Sequence, residues 1–347
     1  MESVIPEFLR NHGEKQENNV QYFKSVQIGL DLEIMTLELN ILGTSSQLPT
    51  KDRNHGAYFL RWEGETILLD PGEGAQRQCI IAGLSVPSIR TILISHFHGD
   101  HCLGLPGIIQ RIALAGVKDP IRLVYPEAGQ IFLDRLLTCA EYYNPLDIRY
   151  YPVNQNGVVC KIGKLILEAQ ALKHRVPTFG YRLVKPGGRR YDAGKLVSAG
   201  IFGKAVRFLE KNGEIQTTDG RITPDMVTYT VPDTIFSYIS DTALNEQVFR
   251  LMDQAALVLC EATFLESERD LAHTYDHLTA AQAGDYAIKS GVKNLILTHF
   301  SERYNDTFVI EKEVKKVFPE AYAAGDFTRY TFSPGKGSLN IEKIGKQ

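Results

Sequence analysis

The sequence predicts an α/β fold, because strand-like and helix-like segments alternate along most of its length. Residues 33–42 alternate between apolar and polar side chains, and two further strand-like runs follow at 57–62 and 66–70. A short apolar run at 91–94 leads into a cluster of histidines, after which 103–115 have the apolar spacing of a helix. Further predicted strands lie at 122–125, 165–172, 178–184, 234–239, 257–260 and 294–298, among predicted helices at 129–138, 244–252 and 280–289.

The composition indicates a globular chain with one large domain. The 347 residues are 44% hydrophobic and 23% charged, which excludes a disordered or fibrous protein. No run of about 18 apolar residues occurs, so we expect no membrane span, and residues 1–29 lack the apolar core of a secretory signal. We expect a cytoplasmic protein with an N-terminal extension at 1–33 and one domain at 34–347, whose tail at 335–347 has no regular pattern.

The cysteines exclude two common kinds of site. All five are scattered, and no two of them form a C-x-x-C pair. This spacing argues against a disulfide framework and against a zinc site built from thiolates. A reducing compartment fits the pattern.

Positive charge is concentrated in one segment of a chain whose net charge is −3. Residues 173–214 hold ten basic and three acidic side chains, a balance of +7, so the remainder carries −10. Between 185 and 232 the regular patterns give way to Gly, Pro and charged residues, with weak helical spacing only at 195–209. We expect an inserted arm at about 185–232, and the basic patch is where a nucleic acid would bind.

Four potential metal ligands lie within six positions directly after the apolar run at 91–94. The segment reads Ser-His-Phe-His-Gly-Asp-His and contributes His96, His98, Asp100 and His101. Neutral imidazoles and a carboxylate suit zinc, and such a loop can serve two neighbouring ions. An ordinary polar loop is the alternative interpretation.

Three further candidate ligands follow predicted strands elsewhere in the chain. His174 follows 165–172, Asp241 follows 234–239, and His299 follows 294–298. Two ions about 3.5–4 Å apart need ligands of this kind and one carboxylate that bridges them. Each residue alone is a weak signal, because a lone histidine is often structural and Asp241 stands where a helix N-cap would stand.

The order His-x-His-x-Asp-His, then a separate His, Asp and His, resembles the metallo-β-lactamase superfamily. The resemblance implies an αββα sandwich with two zinc ions per chain, or manganese in their place. One ion would be held by His96, His98 and His174, the other by Asp100, His101 and His299, with Asp241 bridging. Asp70 is a plausible hydrogen-bond partner for one of these imidazoles, although its Asp-Pro-Gly turn needs no such role.

Further motifs resemble the ribonuclease Z family within that superfamily. They lie at 43–54, which includes Pro-x-Lys-x-Arg-Asn, at 261–264, at 277–283 and at 298–304. The resemblance implies a homodimeric endonuclease that cuts precursor tRNA at its 3′ end and leaves a 3′-hydroxyl. It makes Asp100 the general base and His277, oriented by Glu261, the proton donor. It assigns tRNA contacts to Lys51, Arg53 and Asn54, and the basic arm, with Lys204 and Arg207, to the tRNA body.

The sequence departs from the family at three places, and rival functions stay open. A Gly-Pro expected near the tip of the arm is missing from 201–205, so its grip on tRNA is less assured; Cys260 replaces a His, and Leu278 replaces a Ser. One rival is a small phosphodiester or ester hydrolase of the same superfamily, which would need no basic arm. The other is an RNA-binding protein with a vestigial metal site, although every ligand position is filled. β-Lactam hydrolysis is disfavoured, because that branch would not need the basic insertion and the sequence offers no export signal of the kind that a periplasmic enzyme requires.

Overall fold

The structure is a computed structural model that describes residues 36–334 and 337–345. These residues form two compact units, a larger one of 36–185 with 234–345 and a smaller one of 186–233. The extension predicted at 1–33 lies outside the described residues. Within the described ranges, no helix is both long enough and apolar enough to cross a membrane.

Strands and helices alternate along the described chain. The strands are β1 (Leu37–Gly43), β2 (Ala57–Trp62), β3 (Glu65–Leu69), β4 (Thr91–Leu93), β5 (Ile121–Pro126), β6 (Ile148–Val153), β7 (Gly157–Ile162), β8 (Leu165–Leu172), β9 (Thr178–Lys185), β10 (Gly188–Tyr191), β11 (Ile215–Thr217), β12 (Gly220–Ile222), β13 (Thr228–Val231), β14 (Thr234–Ile239), β15 (Leu257–Glu261), β16 (Leu295–Thr298), β17 (Ala321–Ala323), β18 (Thr328–Ser333) and β19 (Ser338–Lys343). The α-helices are α1 (Ala75–Ile81), α2 (Gly99–Cys102), α3 (Leu105–Leu114), α4 (Gln130–Leu137), α5 (Ala193–Ser198), α6 (Lys204–Asn212), α7 (Pro224–Val227), α8 (Glu246–Met252), α9 (Arg269–Tyr275), α10 (Ala280–Lys289) and α11 (Phe308–Val314).

Two large sheets make up the larger unit. The first has the order β19-β18-β1-β2-β3-β4-β5-β6, antiparallel as far as β3 and parallel from β3 to β6. The second has the order β17-β16-β15-β14-β9-β8-β7, in which β14 to β17 are parallel and the other pairs antiparallel. The parallel strands therefore end at a common edge of each sheet.

The two sheets pack face to face, with helices on their outer faces. Buried side chains of both sheets share one core, among them Leu39 and Tyr58 of the first sheet and Leu167 and Phe236 of the second. A second cluster joins the first sheet to α1 and α3, and a third joins the second sheet to α8, α10 and α11. Helix α3 fits this layer because its buried residues recur every three or four positions. The predicted αββα sandwich is confirmed.

The smaller unit is built from short elements around its own apolar core. Strand β10 pairs with β13, and β11 pairs with β12. Helices α5 and α6 replace the single weak helix expected at 195–209, because Gly200 and Gly203, both at positive φ, separate them. The buried core consists of Leu196, Ile201, Ala205, Leu209, Ile215 and Val227.

Candidate metal centre

All seven candidate ligands lie at the ends of strands in the two sheets, and the structure brings them together. The loop after β4 carries His96 and His98, and α2 carries Asp100 and His101. His174, Asp241 and His299 follow β8, β14 and β16. Since β14 to β16 are parallel and β8 runs in the same direction, their carboxyl ends meet at one edge. The ligand atoms of the seven residues form two groups, each with its atoms within 4.8 Å of one another, and a third group of this kind joins His277 to Asp241 and His299.

The first group consists of three imidazoles and one carboxylate. His98 Nδ1 lies 3.0 Å from His96 Nε2 and 3.4 Å from His174 Nε2. Asp241 Oδ2 completes the group at 3.8 Å from His96 Nε2 and 3.7 Å from His174 Nε2. Three nitrogens and one carboxylate oxygen around a common centre are a donor set that a divalent cation such as Zn²⁺ accepts.

The second group lies on the other side of Asp241. Asp100 Oδ2 lies 3.2 Å from His101 Nε2 and 3.3 Å from His299 Nε2, and the two imidazole nitrogens are 3.3 Å apart. Asp241 Oδ1 lies 3.4 Å from His101 Nε2 and 3.3 Å from His299 Nε2. Each oxygen of Asp241 therefore faces one group, which is the arrangement that a bridging carboxylate requires.

Burial and neighbouring charges set the protonation states of these groups. Burial lowers the pKa of His96, His98 and His174 below the usual range, so near neutral pH they are neutral imidazoles able to bind a cation. Burial raises the pKa of Asp241, but His299 and His101 outweigh it, so the pKa lies well below its usual value. Burial also works against ionisation of Asp100, whose pKa His101 and His299 nevertheless lower. These buried carboxylates need positive charge beside them, and a divalent cation supplies it.

Asp70 holds the histidine loop in place. Its Oδ1 accepts the Ser95 N–H at 2.6 Å, and its Oδ2 accepts hydroxyls from Ser95 at 2.5 Å and from Tyr238 at 2.6 Å. Oδ2 also lies 2.8 Å from His101 Nδ1, which leaves His101 Nε2 to face the second group. The sequence suggested the role of Asp70 but not its partners, Ser95 in the loop after β4 and Tyr238 on β14.

Glu261 accepts hydrogen bonds from the candidate proton donor, His277, and from the backbone beside the candidate ligand Asp241. The fully buried Glu261 accepts from His277 Nδ1 at 2.9 Å and from the Thr242 N–H, next to Asp241, at 2.8 Å. His277 Nε2 then points to Asp241 Oδ2, 4.0 Å away. Burial lowers the pKa of His277, but Glu261 and Asp241 together raise it to about 9. His277 is therefore protonated near neutral pH.

Thr263 links Glu261 to the candidate ligand His299, and no role was predicted for it from the sequence. Its hydroxyl lies 2.7 Å from Glu261 Oε2 and 2.9 Å from His299 Nδ1. When Thr263 donates to Glu261, its oxygen accepts from His299 Nδ1, and His299 Nε2 is left to face Asp100. The available signal was its place in Glu-Ala-Thr-Phe, two residues after Glu261.

The predicted tRNA-contacting residues have different surroundings. Lys51 is 90% exposed, whereas Arg53 is only 9% exposed and donates to the Ser301 carbonyl at 3.0 Å. Asn54 Nδ2 donates to the Glu73 carbonyl at 2.7 Å, so Arg53 and Asn54 hold the loop that presents Lys51. Lys204 and Arg207 are exposed on α6 of the smaller unit and are not part of the ligand cluster.

A cleft of about 330 Å³ opens onto the ligand groups. Its lining includes candidate ligands and the candidate proton donor, namely His98, Asp100, His174, Asp241, His277 and His299. It also includes aromatic and basic residues, among them Arg175, Phe264, Tyr275 and Arg303. An extended, charged substrate that enters the cleft would reach both groups of candidate ligands.

Known proteins resemble this chain over most of its length. The family description of the metallo-β-lactamase superfamily matches residues 51–157. Ribonuclease Z of Chlamydia trachomatis serovar L2 is 40% identical over 294 residues, which cover 85% of this chain and 97% of that protein. Ribonuclease Z of Thermobifida fusca is 44% identical over 283 residues, which cover 80% of this chain and 89% of that protein.

A solved structure supports the fold. The crystal structure of the short form of human tRNase Z aligns with a TM-score of 0.59 at 23% identity, covering 84% of this chain and 98% of that one. The structural match shows a shared fold, and the sequence matches extend over nearly the whole of the relatives. The resemblance noted in the motifs is thereby confirmed: the chain belongs to the ribonuclease Z family of the metallo-β-lactamase superfamily.

Proposed function

We propose that the protein is a zinc-dependent endoribonuclease that removes the 3′ trailer from precursor tRNA and leaves a 3′-hydroxyl on the tRNA. The observation that carries the proposal is Asp241, whose two oxygens each face one group of nitrogen and oxygen ligands, with His277 Nε2 lying 4.0 Å from its Oδ2. The family membership supports it, because the relatives are named ribonuclease Z. Manganese is an alternative to zinc, since both accept these ligands.

The donor set fits two ions per chain. His96, His98 and His174 would hold one ion, Asp100, His101 and His299 the other, and Asp241 both. Two such ions supply a nucleophilic water near neutral pH and withdraw charge from the phosphodiester that is attacked. Asp100, ionised and among the residues that line the cleft, would orient the attacking water and accept its proton.

His277 completes the reaction on the opposite side of the phosphorus. The water oxygen forms a new bond to phosphorus, and the bond from phosphorus to the 3′ oxygen breaks with its electron pair on that oxygen. His277 Nε2 donates the proton that this oxygen needs, while Glu261 keeps Nδ1 engaged at 2.9 Å. The tRNA then carries a 3′-hydroxyl and the trailer a 5′-phosphate.

Basic side chains on two parts of the chain would bind the tRNA backbone. Lys51 is exposed on the loop that Arg53 and Asn54 hold in place. On α6, Lys204, Arg207 and Lys211 recur every three or four residues, so they share an exposed face opposite the buried Ala205 and Leu209. The smaller unit holds seven basic and six acidic side chains, a balance of only +1, so this face rather than the whole unit provides the attraction.

A cleavage assay tests the proposal directly. A 5′-labelled tRNA precursor with a 3′ trailer is incubated with the zinc-loaded enzyme, with and without a chelator, beside the Asp100→Ala variant. We expect a single chelator-sensitive cut that leaves a 3′-hydroxyl, and a loss of at least about a hundredfold in the variant. An intact precursor together with rapid hydrolysis of small phosphodiesters would overturn the proposal in favour of a small-substrate hydrolase.

The contribution of α6 has its own test. In the double variant Lys204→Glu with Arg207→Glu, we expect weaker binding of precursor tRNA. The plot of the logarithm of the binding constant against the logarithm of the salt concentration should also be less steep, by about one unit of slope for each phosphate that the helix no longer binds. The control is Lys289→Glu with Lys293→Glu, two exposed lysines outside the smaller unit. Equal binding and equal salt dependence in both double variants would exclude the α6 face from tRNA recognition.

Two expectations from the sequence stay predictions. Light scattering of the purified protein tests the homodimer, which should have twice the chain mass of 38.9 kDa. Fractionation of the source cells tests the cytoplasmic location.

A further inference from the structure

The proposed chemistry leaves one wall of the cleft unused. Along this wall, two arginines flank two aromatic rings. The Arg303 guanidinium lies 5.0 Å from the centre of the Phe264 ring, and the Arg175 guanidinium lies 4.8 Å from the centre of the Tyr275 ring. The two rings are inclined by only 21° with their centres 6.5 Å apart. All four residues line the same cleft as His277 and His299.

The two halves of this wall differ in exposure and in charge. Phe264 is only 4% exposed, and the charge of Arg303 is balanced by Glu268 at 2.6 Å. Tyr275, in contrast, is 43% exposed, and Arg175 makes no ion pair with a carboxylate in the described part of the chain. The Arg175 guanidinium is held by a hydrogen bond to the Thr274 carbonyl at 2.8 Å. The outer pair therefore presents an aromatic ring and an uncompensated cation to the cleft.

We propose that Tyr275 and Arg175 form a binding subsite for the unpaired nucleotide next to the scissile phosphodiester. Bases stack on tyrosine rings and on guanidinium planes whatever their sequence, and a guanidinium also pairs with backbone phosphate. The inference rests on the proposed function, because a single-stranded RNA segment is the substrate that brings an unpaired base into this cleft. The subsite distinguishes such a segment from a small phosphodiester that has no neighbouring base.

A purely structural role for the pair makes a different prediction. The backbone of 274–276 also contacts His174, whose Nδ1 lies 3.2 Å from the Asp276 carbonyl, and it leads directly into His277. If Tyr275 and Arg175 only position this segment, their removal lowers kcat. If they bind a nucleotide, their removal weakens binding of RNA that has a base at one particular position.

The experiment measures binding of short RNA to the zinc-loaded enzyme. A dye-labelled RNA tetranucleotide with uncleavable phosphorothioate linkages is compared, by fluorescence polarisation, with versions in which one base at a time is missing. For the unaltered enzyme we expect that removing one particular base raises Kd about tenfold. We expect Tyr275→Ala to reduce this factor to about one, and Tyr275→Phe, which keeps the ring, to retain it. Tyr143→Ala, which removes a tyrosine that is 86% exposed and does not line the cleft, is the matched control and should also retain the factor.

Two results would overturn the subsite. One is an unaltered enzyme that binds every base-lacking tetranucleotide as tightly as the complete one. The other is a Tyr275→Ala variant that keeps the tenfold factor and has only a lower kcat on a tRNA precursor, which is the result of a positioning role. The two proposals can fail separately. If the enzyme discriminates between the tetranucleotides but does not cleave tRNA precursors, the proposed function is wrong and the base-binding subsite is retained.

Discussion

Asp70 is the residue on which the geometry of the histidine loop depends. Its carboxylate is fully buried, and four hydrogen-bond donors besides His101 point at it, the Ser95 N–H and the hydroxyls of Ser95, Tyr238 and, at 3.5 Å, Ser240. Asp70 also has a positive φ of 42°, an uncommon conformation that this network stabilises. A side chain with a donor in place of an acceptor would therefore disturb both the loop and the orientation of His101.

We expect Asp70→Asn to weaken cation binding about 10–100-fold, the usual cost of losing a hydrogen-bond partner of a ligand imidazole. Competition with a chromophoric zinc chelator measures the affinity. Asp119→Asn is the control, because Asp119 is an exposed carboxylate paired with Arg90. Equal zinc affinity in both variants would contradict the role assigned to Asp70.

The pKa of His277 gives a prediction for the pH dependence of catalysis. Burial opposes protonation, but Glu261 and Asp241 raise this pKa to about 9, so the proposed proton donor is protonated at neutral pH. A cation bound by Asp241 would offset the contribution of that carboxylate, so the alkaline loss of activity should fall below pH 9 in the loaded enzyme. Glu261→Gln removes one of the two negative charges and should lower this pKa. The alkaline fall in kcat should then move down by about one pH unit or more.

The measurement is kcat on a tRNA precursor from pH 6 to pH 10. Glu246→Gln, a substitution at an exposed site on α8, is the control and should keep the profile of the unaltered enzyme. An unshifted alkaline fall in Glu261→Gln would exclude His277 as the proton donor.

Among the elements, α10 connects the catalytic loop to the outer helical layer. Thr279 caps this helix two residues after His277: its hydroxyl accepts the Gln282 N–H at 3.2 Å and donates to Glu266 at 2.5 Å. The Gln282 side chain accepts the Thr279 N–H in return, which completes a capping box. The start of α10, and with it the loop that carries His277, is thereby fixed.

We expect Thr279→Ala to lower the free energy of unfolding by about 1 kcal/mol, the usual cost of losing an N-cap hydroxyl. Thr307→Ala is a matched control, because Thr307 precedes α11 without a capping hydrogen bond from its side chain. Urea denaturation of both variants measures the difference. An equal loss of the free energy of unfolding in the two variants would show that the capping hydrogen bonds of Thr279 do not stabilise the fold.

At the scale of the whole molecule, the candidate metal centre joins the two sheets. The loop after β4 in the first sheet and helix α2 supply four ligands, and residues that follow strands of the second sheet supply His174, Asp241 and His299. A bound ion that holds ligands from both sheets binds the folded state and not the unfolded chain, so it stabilises the fold by mass action.

Zinc at about a hundredfold excess over its Kd should raise the free energy of unfolding by about 2.7 kcal/mol, and a chelator should remove that gain. Asp241→Ala, which removes the oxygens that face both groups, should lose most of it. Asp285→Ala, on the exposed side of α10, should keep it. An undiminished zinc effect on the urea midpoint of Asp241→Ala would contradict a shared carboxylate.

The sequence predicted the α/β class and the seven candidate ligands because both leave local signals, whereas the sandwich was implied only by the resemblance to the superfamily. Strand ends followed by His or Asp are readable in one dimension, and the alternation of the central strands is strong. In the two large sheets, strands β6, β7, β17, β18 and β19 were missed, the last of them within the tail at 335–347. Most side chains of β19 are exposed, so no apolar alternation marks it.

Contacts between distant parts of the chain were beyond the reach of sequence reasoning. Tyr238 reaches Asp70 across 168 positions, and Arg53 reaches the Ser301 carbonyl across 248. The second contact explains why a side chain expected at the surface is buried. Such pairings depend on how the sheets pack, which no local pattern encodes.

The pairing of β1 with β18 has a consequence for the order in which the protein is made. Leu39 lies opposite Tyr330, so the first sheet closes only with a strand that is synthesised near the end of the chain. A growing chain that has reached His299 already contains every candidate ligand, yet it lacks the strand that pairs with β1. We therefore expect the first sheet, and with it the site that the segment after β4 helps to build, to be completed only after β18 has left the ribosome.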